Sequence, residues 1–367
     1  MNIAWIVDRV EPADNRRVTP ALPVAERLAA AGNDVTVFCQ KATVQSERVT
    51  IVPLGRRGIA KWTTGEASYD IIHAMTPVAG ANVYQPARGT IRSQLAATRR
   101  RYNWLAGPII AGVQAWRWRH TRSREDALLA SDTCWYVGVS ELLARELQQA
   151  AAHPDHAVTV LRGVDVPDPA GEQRTHDRQE TRYRLNLSSR DVLFVCVTTD
   201  LARDGVDYLI RGMGKLDARE GLPTTHLLCL GGKMIEGYRR LAGMIGIGNR
   251  VHFVDLSEDV FRYYAAADAV VQLSWHEPAS RSVLEAVRWG IPTLTSAFDG
   301  ASKIVARGTG VVVDSPDNLR DVTDGLQLLT DPHVRAQFST ACEAVQPEIS
   351  LDRHVERLLD VYKKVSL

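Results

Sequence analysis

Two carboxylates, Glu277 and Glu285, have residue types and a spacing that suit sugar binding. Glu277 lies in a polar loop after an apolar run, and Glu285 comes eight positions later in a predicted helix. An ionised carboxylate accepts two hydrogen bonds from hydroxyl groups, which suits a ribose or a hexose. The alternative is a solvated loop for Glu277 and an exposed helix face for Glu285, because most carboxylates in proteins are exposed.

The segment 268–300 predicts the elements that would position this pair. Residues 270–273 form a short apolar run rich in β-branched residues, which is typical of a strand buried in a parallel sheet. A helical pattern follows and ends at Gly290, and residues 291–295 begin another strand. The loop with Glu277 is therefore expected at the carboxyl end of a parallel strand, where open α/β sheets bind ligands.

A second candidate loop, residues 197–206, joins another predicted strand to a helix. Arg203 in this loop can bind phosphate oxygens with its planar set of donors, next to a helix N-terminus. Thr199 in the same loop and Lys233 after the next strand are further candidates for phosphate binding. An exposed arginine on an ordinary loop is the alternative for Arg203.

Composition limits the classes of protein to which the chain can belong. Its 367 residues are enough for two domains, and a net charge of +1 gives no general attraction to nucleic acid. The chain begins with a strand-like run, so we expect no signal peptide, and no apolar run is long enough to cross a bilayer. The cysteines lack metal-ligand spacing, which fits buried thiols in a reducing cytosol: Cys39, Cys134, Cys196, Cys229 and Cys342.

Strands alternate with helices in two series, which predicts two doubly wound parallel sheets of the α/β class. The first series occupies residues 1–165 and the second residues 190–350. Between them, residues 166–189 contain Pro, Gly and many charges with little apolar periodicity, so we interpret them as a linker. A final helix lies in residues 351–367.

The spacing of Glu277 and Glu285, followed by Ala286, Gly290 and Pro292, resembles the donor-site signature of glycosyltransferase family 4. These are retaining enzymes, and the resemblance extends along nearly the whole chain, most closely to the lipopolysaccharide-core glucosyltransferases. It implies a GT-B fold, in which two Rossmann-like doubly wound domains face a cleft. The first domain would bind the acceptor, the second the nucleotide-sugar donor, and the last helix would cross back to the first domain.

The resemblance also implies roles for individual residues. Glu277 would hold hydroxyls of the donor sugar and Glu285 the ribose, while Arg203 would stabilise the departing diphosphate. The remaining expected donor contacts are Thr199, Lys233 and the amides near Ala279, Ser280 and Arg281. The sequence has no Asp-x-Asp motif, so we expect transfer without a metal or another cofactor.

The chain departs from the family pattern at three places. Asp204 stands where the family usually has a lysine, and an anion near a diphosphate is unfavourable. Either Asp204 points away and Lys233 substitutes, or donor binding is weak and the role has changed. The family's Gly-Gly loop is replaced by a segment in which Asn15 and Arg16 could bind an anion or simply be solvated. Arg88 follows a strand where relatives place a histidine, and it could face the donor or an anionic acceptor.

The segment 92–124 interleaves cations with aromatic residues, and residues 71–124 contain no Asp or Glu. Arginines attract anionic head groups and tryptophans favour the bilayer interface, so we expect a peripheral membrane patch on the inner face of the cell membrane. Related lipopolysaccharide glucosyltransferases have a comparable region. The alternative is a solvated basic face with core tryptophans, and no nucleic-acid motif accompanies it. The patch residues are Arg99, Arg100, Arg101, Trp104, Trp116, Arg117, Trp118 and Arg119.

These patterns together predict a cytoplasmic, retaining glycosyltransferase with a nucleotide-sugar donor and a membrane-associated glycan or lipid-linked acceptor. One rival is a GT-B protein that binds sugar nucleotide or glycan without efficient turnover. A second rival is a sugar-nucleotide epimerase, which shares the two-domain architecture. A dehydrogenase is disfavoured because no G-x-G-x-x-G follows the first strand of either series.

Overall fold

The computed structural model describes residues 1–11, 21–62, 68–102, 104–167, 171–256 and 259–366. Its strands are β1 (Asn2–Val10), β2 (Asp34–Ala42), β3 (Thr50–Pro53), β4 (Ile71–Ala74), β5 (Val83–Tyr84), β6 (Trp135–Gly138), β7 (Ala157–Thr159), β8 (Val192–Thr198), β9 (Thr225–Gly231), β10 (Val251–Val254), β11 (Ala269–Gln272), β12 (Thr293–Ser296) and β13 (Gly310–Val313).

The helices alternate with these strands along most of the chain. They are α1 (Leu22–Ala30), α2 (Gly55–Ala60), α3 (Ile91–Arg101), α4 (Ala106–Arg117), α5 (Arg119–Leu129), α6 (Glu141–Ala150), α7 (Glu172–Arg184), α8 (Val206–Asp217), α9 (Glu236–Ile245), α10 (Phe261–Ala266), α11 (Arg281–Arg288), α12 (Ser302–Ile304), α13 (Leu319–Leu328), α14 (Pro332–Val345) and α15 (Leu351–Val365). Within the described ranges, no helix has the length and apolar character needed to span a membrane.

The chain divides into two compact units, each built on one sheet. The N-terminal unit comprises Met1–Gly163 and Leu351–Leu367, and the C-terminal unit comprises Val164–Ser350. In the described residues, the N-terminal sheet has the strand order β3-β2-β1-β4-β5-β6-β7 and the C-terminal sheet the order β10-β9-β8-β11-β12-β13. All pairings within the two sheets are parallel, which confirms the predicted doubly wound α/β class.

Strand β8 shows why the sequence forms buried parallel strands. Every residue of Val192–Thr198 is buried. Val192, Phe194 and Cys196 contribute to the core on one face of the sheet, and Leu193 and Val195 contribute to the core on the other. Successive side chains of a strand point to opposite faces, so an uninterrupted apolar run covers both.

The C-terminal helix α15 completes the core of the N-terminal unit. Tyr362 on this helix is fully buried, and its hydroxyl lies 2.6 Å from Nδ1 of His73 on β4. The His73 ring stacks on Trp5 of β1 at 4.7 Å. Burial lowers the pKa of His73 to about 3, so the imidazole is neutral. His73 is therefore a neutral histidine of the buried core.

The interpretation of residues 166–189 as a linker needs correction, because they contain helix α7 of the C-terminal unit. Arg182 donates hydrogen bonds at 3.0 Å to Oδ2 of Asp268 and at 2.7 Å to the Asp191 carbonyl. Arg178 donates at 2.8 Å to the other oxygen of Asp268. Helix α7 is held by these charged hydrogen bonds and not by an apolar stripe. The apolar periodicity of the sequence therefore does not indicate this helix.

Leu358→Ala should destabilise the N-terminal unit, because the Leu358 side chain on α15 is fully buried in its core. We expect the free energy of unfolding to fall by about 3 kcal/mol, from lost apolar burial and the cavity left behind. Chemical denaturation measures the change. Glu356→Ala on the solvent side of α15 is the matched control and should change it by less than about 0.5 kcal/mol; equal effects of the two variants would contradict this packing.

Candidate functional site

The candidate site lies at the carboxyl ends of β8 and β11 in the C-terminal unit. The strand order reverses between these two neighbours, since β9 and β10 follow on one side and β12 and β13 on the other. Such a switch point leaves a crevice between loops that leave the sheet in opposite directions. The loop 199–205 follows β8, and the loop 273–280 follows β11.

Gly205 allows these two loops to meet. Its φ of 63° is in the left-handed region, and a Cβ there would lie 2.5 Å from the Leu273 carbonyl oxygen. The main chain is also joined directly, because the Trp275 amide donates to the Arg203 carbonyl at 2.9 Å. Only glycine combines this conformation with so close an approach.

Asp204 is fully buried and binds both loops with its side chain. Oδ2 accepts a hydrogen bond from the Thr198 hydroxyl at 2.6 Å, and Oδ1 accepts one from the Ser274 hydroxyl at 3.4 Å. Arg203 donates to both carboxylate oxygens, from Nε at 3.0 Å and from Nη2 at 3.2 Å. Asp204 thus connects the end of β8, the loop after β8 and the end of β11.

This geometry gives the orientation of the Asp204 side chain, which the sequence alone does not determine. The carboxylate points into the domain and holds Arg203, whose side chain remains 38% exposed. The charge of Asp204 is the main cause that raises the pKa of Arg203, and Glu277 contributes in the same direction. Arg203 is therefore a fixed cation at the crevice, partly neutralised by its neighbour.

Glu277 is half-buried in the loop that precedes α11, and its main chain is fixed to the loop after β12. Its amide donates to the Phe298 carbonyl at 3.1 Å, and its carbonyl accepts from the Gly300 amide at 2.8 Å. The charge of its carboxylate contributes to the raised pKa values of Arg203 and Asp299. The structure thus places Glu277 in the loop after β11, which is joined to the loop that carries Arg203; its role in donor binding stays a prediction.

Asp299, which the sequence analysis missed, lies in the loop after β12 and is fully buried. Its Oδ1 accepts hydrogen bonds from the amides of Ser280 at 3.0 Å and Ala301 at 2.8 Å, and Oδ2 lies 3.1 Å from the Thr295 hydroxyl. Burial, reinforced by the charge of Glu277, raises the pKa of Asp299 to about 7. Its position just after a strand at the carboxyl edge is the signal that could have identified it.

The N-terminus of α11 differs from the sequence prediction. Ala279 and Ser280 are buried, and the Ser280 amide, expected to bind phosphate, already donates to Asp299. The Ser280 hydroxyl caps the helix by accepting from the Val283 amide at 3.4 Å. A carboxylate from the neighbouring loop therefore occupies one of the amides that a helix N-terminus offers to an anion.

Glu285 is fully buried within α11. Its Oε1 accepts a hydrogen bond from Nε of Arg281 at 2.8 Å, and its Oε2 accepts one from the Tyr264 hydroxyl at 3.2 Å. The alternative prediction, that Glu285 lies on an exposed helix face, is thus wrong. Arg281, predicted to contact the donor, is engaged with Glu285, so this carboxylate is charge-paired before any ribose binds.

Thr199 and Lys233 are exposed at the same edge of the sheet, just after β8 and β9 respectively. The ends of β8 and β9 approach each other closely at Gly231. A Cβ at this position would lie 2.3 Å from the Thr198 carbonyl oxygen, so the close approach requires a glycine. Their predicted roles in donor binding stay predictions.

The sequence also predicts three acceptor- or phosphate-binding residues in the N-terminal unit. Arg88 is exposed between β5 and α3. Asn15 and Arg16 lie outside the described residues. Among the residues that the structure describes, the group of potential metal ligands within 4.8 Å of one another is His176, Asp177 and Glu180 on α7.

The basic and aromatic segment forms helix α4 and the neighbouring ends of α3 and α5. Trp104 is 82% exposed, and Trp116 is 67% exposed with the Arg119 guanidinium 4.9 Å from the centre of its ring. Trp118 is half-buried, Arg101 pairs with the Tyr102 hydroxyl, and burial lowers the pKa of Arg100. Arg99, Arg117 and Arg119 are exposed.

Known proteins resemble both units. Residues 189–331 match the protein-family model described as Glycosyl transferases group 1. D-inositol 3-phosphate glycosyltransferase of Salinispora tropica is 31% identical over 225 residues, 58% of this chain and 46% of that protein. Lipopolysaccharide glucosyltransferase WaaG of Escherichia coli is 29% identical over 176 residues, 47% of this chain and 46% of that protein. The chain spans about half the length of these curated relatives.

Solved structures match over almost the full length. WaaG, a glycosyltransferase involved in lipopolysaccharide biosynthesis, superposes with a TM-score of 0.77 at 21% identity, covering 98% of this chain and 99% of that chain. Anabaena HepE in complex with UDP and glucose superposes with a TM-score of 0.69 at 13% identity, covering 98% and 99%. These likenesses confirm the expected GT-B fold.

Asp204→Ala should destabilise the C-terminal unit. The substitution leaves the Thr198 and Ser274 hydroxyls and the Arg203 guanidinium without their shared acceptor, so we expect a loss of about 3 kcal/mol in the free energy of unfolding. Glu220→Ala, an exposed carboxylate of the same unit, is the control and should have little effect. Denaturant titration compares them, and an undiminished stability of Asp204→Ala would contradict the bridging role.

Proposed function

We propose, from the membership of residues 189–331 in the glycosyl transferases group 1 family, that the protein is a retaining glycosyltransferase. Its donor would be a nucleotide sugar bound by the C-terminal unit. Its acceptor would be a membrane-associated glycan or lipid-linked sugar of the cell-envelope or lipopolysaccharide type. The protein would work in the cytoplasm, bound to the inner face of the cell membrane.

The observation that carries the proposal is the meeting of Arg203 and Glu277 at the switch point of the C-terminal sheet. A nucleoside diphosphate needs a cation at this edge, and a hexose needs a carboxylate next to it. Buried Asp204 fixes the cation, and a backbone β-bridge between Glu277 and Asp299 fixes the main chain that carries the carboxylate. The arginine and this loop are thus held before a ligand arrives, which reduces the entropy lost on binding.

The proposed transfer step is the one that the family resemblance implies, with Arg203 and Glu277 in these positions. The bond between the sugar C1 and the diphosphate oxygen breaks, and a bond from C1 to the acceptor oxygen forms on the same face. The proton of the acceptor hydroxyl passes to the departing phosphate, so no protein base is required. Arg203 stabilises the negative charge that grows on the diphosphate, while Glu277 holds the sugar hydroxyls in place.

Glu285 would complete the donor site by holding the ribose. The carboxylate accepts hydrogen bonds from Arg281 and Tyr264, and a carboxylate is the acceptor that ribose hydroxyls require. Because Glu285 is closed to water, its neighbours must move for the ribose to reach it.

The donor experiment tests the transferase directly. UDP, GDP and ADP sugars are offered with cell-envelope glycan acceptors, and nucleotide release and the anomeric configuration of the product are measured. We expect transfer with retention, and a loss of roughly 10- to 100-fold in rate for Glu277→Gln, since a charged hydrogen bond to the sugar is removed. Glu220→Gln should transfer normally. Inversion, or a rate unaffected by Glu277→Gln, would contradict the proposal.

A second candidate is a protein that binds sugar nucleotide without efficient turnover. The partial neutralisation of Arg203 by Asp204 favours it, because less positive charge remains to stabilise the departing diphosphate. Calorimetric binding of a nucleotide sugar, without nucleotide release in the presence of acceptor, would select this candidate over the transferase.

Membrane attachment is proposed from an apolar stripe on α4. Leu105, Ile109 and Val113 lie one helical turn apart and are 58%, 68% and 56% exposed, and Trp116 extends the row. Exposed arginines flank the stripe. A basic rim around an exposed apolar face is typical of helices that lie in the interface of anionic membranes.

The double variant Ile109→Ser/Trp116→Ser should bind anionic vesicles about tenfold more weakly or worse, because two apolar side chains no longer enter the interface. Sedimentation with phosphatidylglycerol–phosphatidylcholine vesicles measures the partition. Met244→Ser/Leu328→Ser replaces exposed apolar residues of the C-terminal unit and should leave it unchanged. Equal binding of both double variants would contradict the membrane patch.

A further inference from the structure

The hydrogen bonds around Asp299 can accommodate a protonated carboxyl group. The Thr295 hydroxyl lies 2.9 Å from the Gln272 carbonyl oxygen and 3.1 Å from Oδ2 of Asp299. A hydroxyl has one hydrogen, so it cannot donate to both oxygens. If Asp299 is protonated on Oδ2, it donates to Thr295, and Thr295 donates to Gln272. Each of these buried oxygens is then part of a hydrogen bond, so the network can hold Asp299 in its neutral form.

The other carboxyl oxygen supports the same state. Oδ1 accepts from the Ser280 and Ala301 amides, and the carbonyl oxygen of a neutral carboxyl group can accept both. A proton on Oδ2 therefore leaves the links between the loop after β12 and the N-terminus of α11 intact.

The surrounding charges disfavour ionisation of Asp299. Glu277 acts on Asp299 as a like charge, while Arg203 and Arg281 each form an ion pair with another carboxylate, Asp204 and Glu285 respectively. The titratable or charged side chains on the neighbouring segments are His276, Glu277, Arg281, Glu285, Arg203, Asp204 and, on the same segment as Asp299, Lys303. An ionised Asp299 would add a second negative charge where the proposed diphosphate approaches.

We propose that Asp299 is a positioning residue that must be neutral when a nucleoside diphosphate occupies the site, so that donor binding takes up a proton. The inference rests on the proposed donor site, which it extends by a proton-linked control of affinity. Asp299 does not contact the reacting atoms. It holds the Ser280 amide, and with it the loop that carries Glu277.

The direction of the effect follows from linkage. The pKa of Asp299 is already raised to about 7, and an adjacent diphosphate would raise it further, so the complex binds more protons than the free protein near neutral pH. Nucleotide affinity should then weaken as the pH rises above about 7, by at most roughly tenfold per pH unit. Asp299→Asn, which keeps an acceptor oxygen and cannot ionise, should bind with a flatter pH dependence.

The experiment is calorimetric titration of the full chain with UDP, GDP and ADP at pH 7.5, in two buffers of different ionisation enthalpy. The difference in observed enthalpy gives the protons taken up per nucleotide. We expect a substantial fraction of one proton for the wild-type protein and almost none for Asp299→Asn. Asp324→Asn, on α13 and paired with Arg219, is the matched control and should take up as much as the wild type.

Infrared difference spectra provide a second readout that does not depend on the variant. Adding the nucleotide at pH 7.5 should increase the band of a protonated carboxyl group in the wild-type protein. Binding without this band and without proton uptake overturns the inference. Equal uptake by Asp299→Asn also overturns it, because another group then takes the proton.

The outcomes separate this inference from the proposed transferase. Proton uptake with nucleotide binding but no sugar transfer overturns the transferase and keeps the role of Asp299. Sugar transfer without proton uptake keeps the transferase and overturns that role. If none of the three nucleotides binds, the donor site and the inference are both overturned.

Discussion

The charged hydrogen bonds between Asp204 and Arg203 are the interaction on which the candidate site depends. Asp204 lies buried between two strand ends, and its two oxygens accept from Thr198, Ser274 and Arg203. A buried carboxylate is stable only when such donors surround it. The same requirement fixes the loops after β8 and β11 against each other and determines where the arginine can reach solvent. The hydrogen bonds that fix the two loops therefore also position the arginine that would bind phosphate.

A second consequence concerns the charge of the site. In the described residues at this edge, acids and bases occur largely as pairs: Arg203 with Asp204, and Arg281 with Glu285. Glu277 and Asp299 add carboxyl groups next to these pairs. A diphosphate would thus meet a weaker positive field than a cluster of basic residues provides. The protonation state of buried Asp299 then becomes important, since one charge more or less changes the balance.

The sequence predicted much of the architecture because apolar runs and helix ends are local signals. The runs at β8 and β11 identified parallel strands, and the position of Glu277 after a strand placed it at the carboxyl edge. Helix α7 was missed because charged hydrogen bonds to Asp268 replace apolar contacts. The burial and hydrogen-bond partners of Asp204 and Asp299 could not be predicted from the sequence. These partners come together only when strands that are distant in the sequence pair with each other.

The central claim is that the C-terminal unit binds a nucleotide sugar at the carboxyl ends of β8 and β11. Crystals soaked with UDP, GDP and ADP sugars test it most directly, by electron density in this crevice. The account predicts density for one of them, with the diphosphate within hydrogen-bonding distance of Arg203 and the sugar hydroxyls on Glu277. Density for a nucleotide at any other place in the molecule, with these two residues untouched, would contradict it.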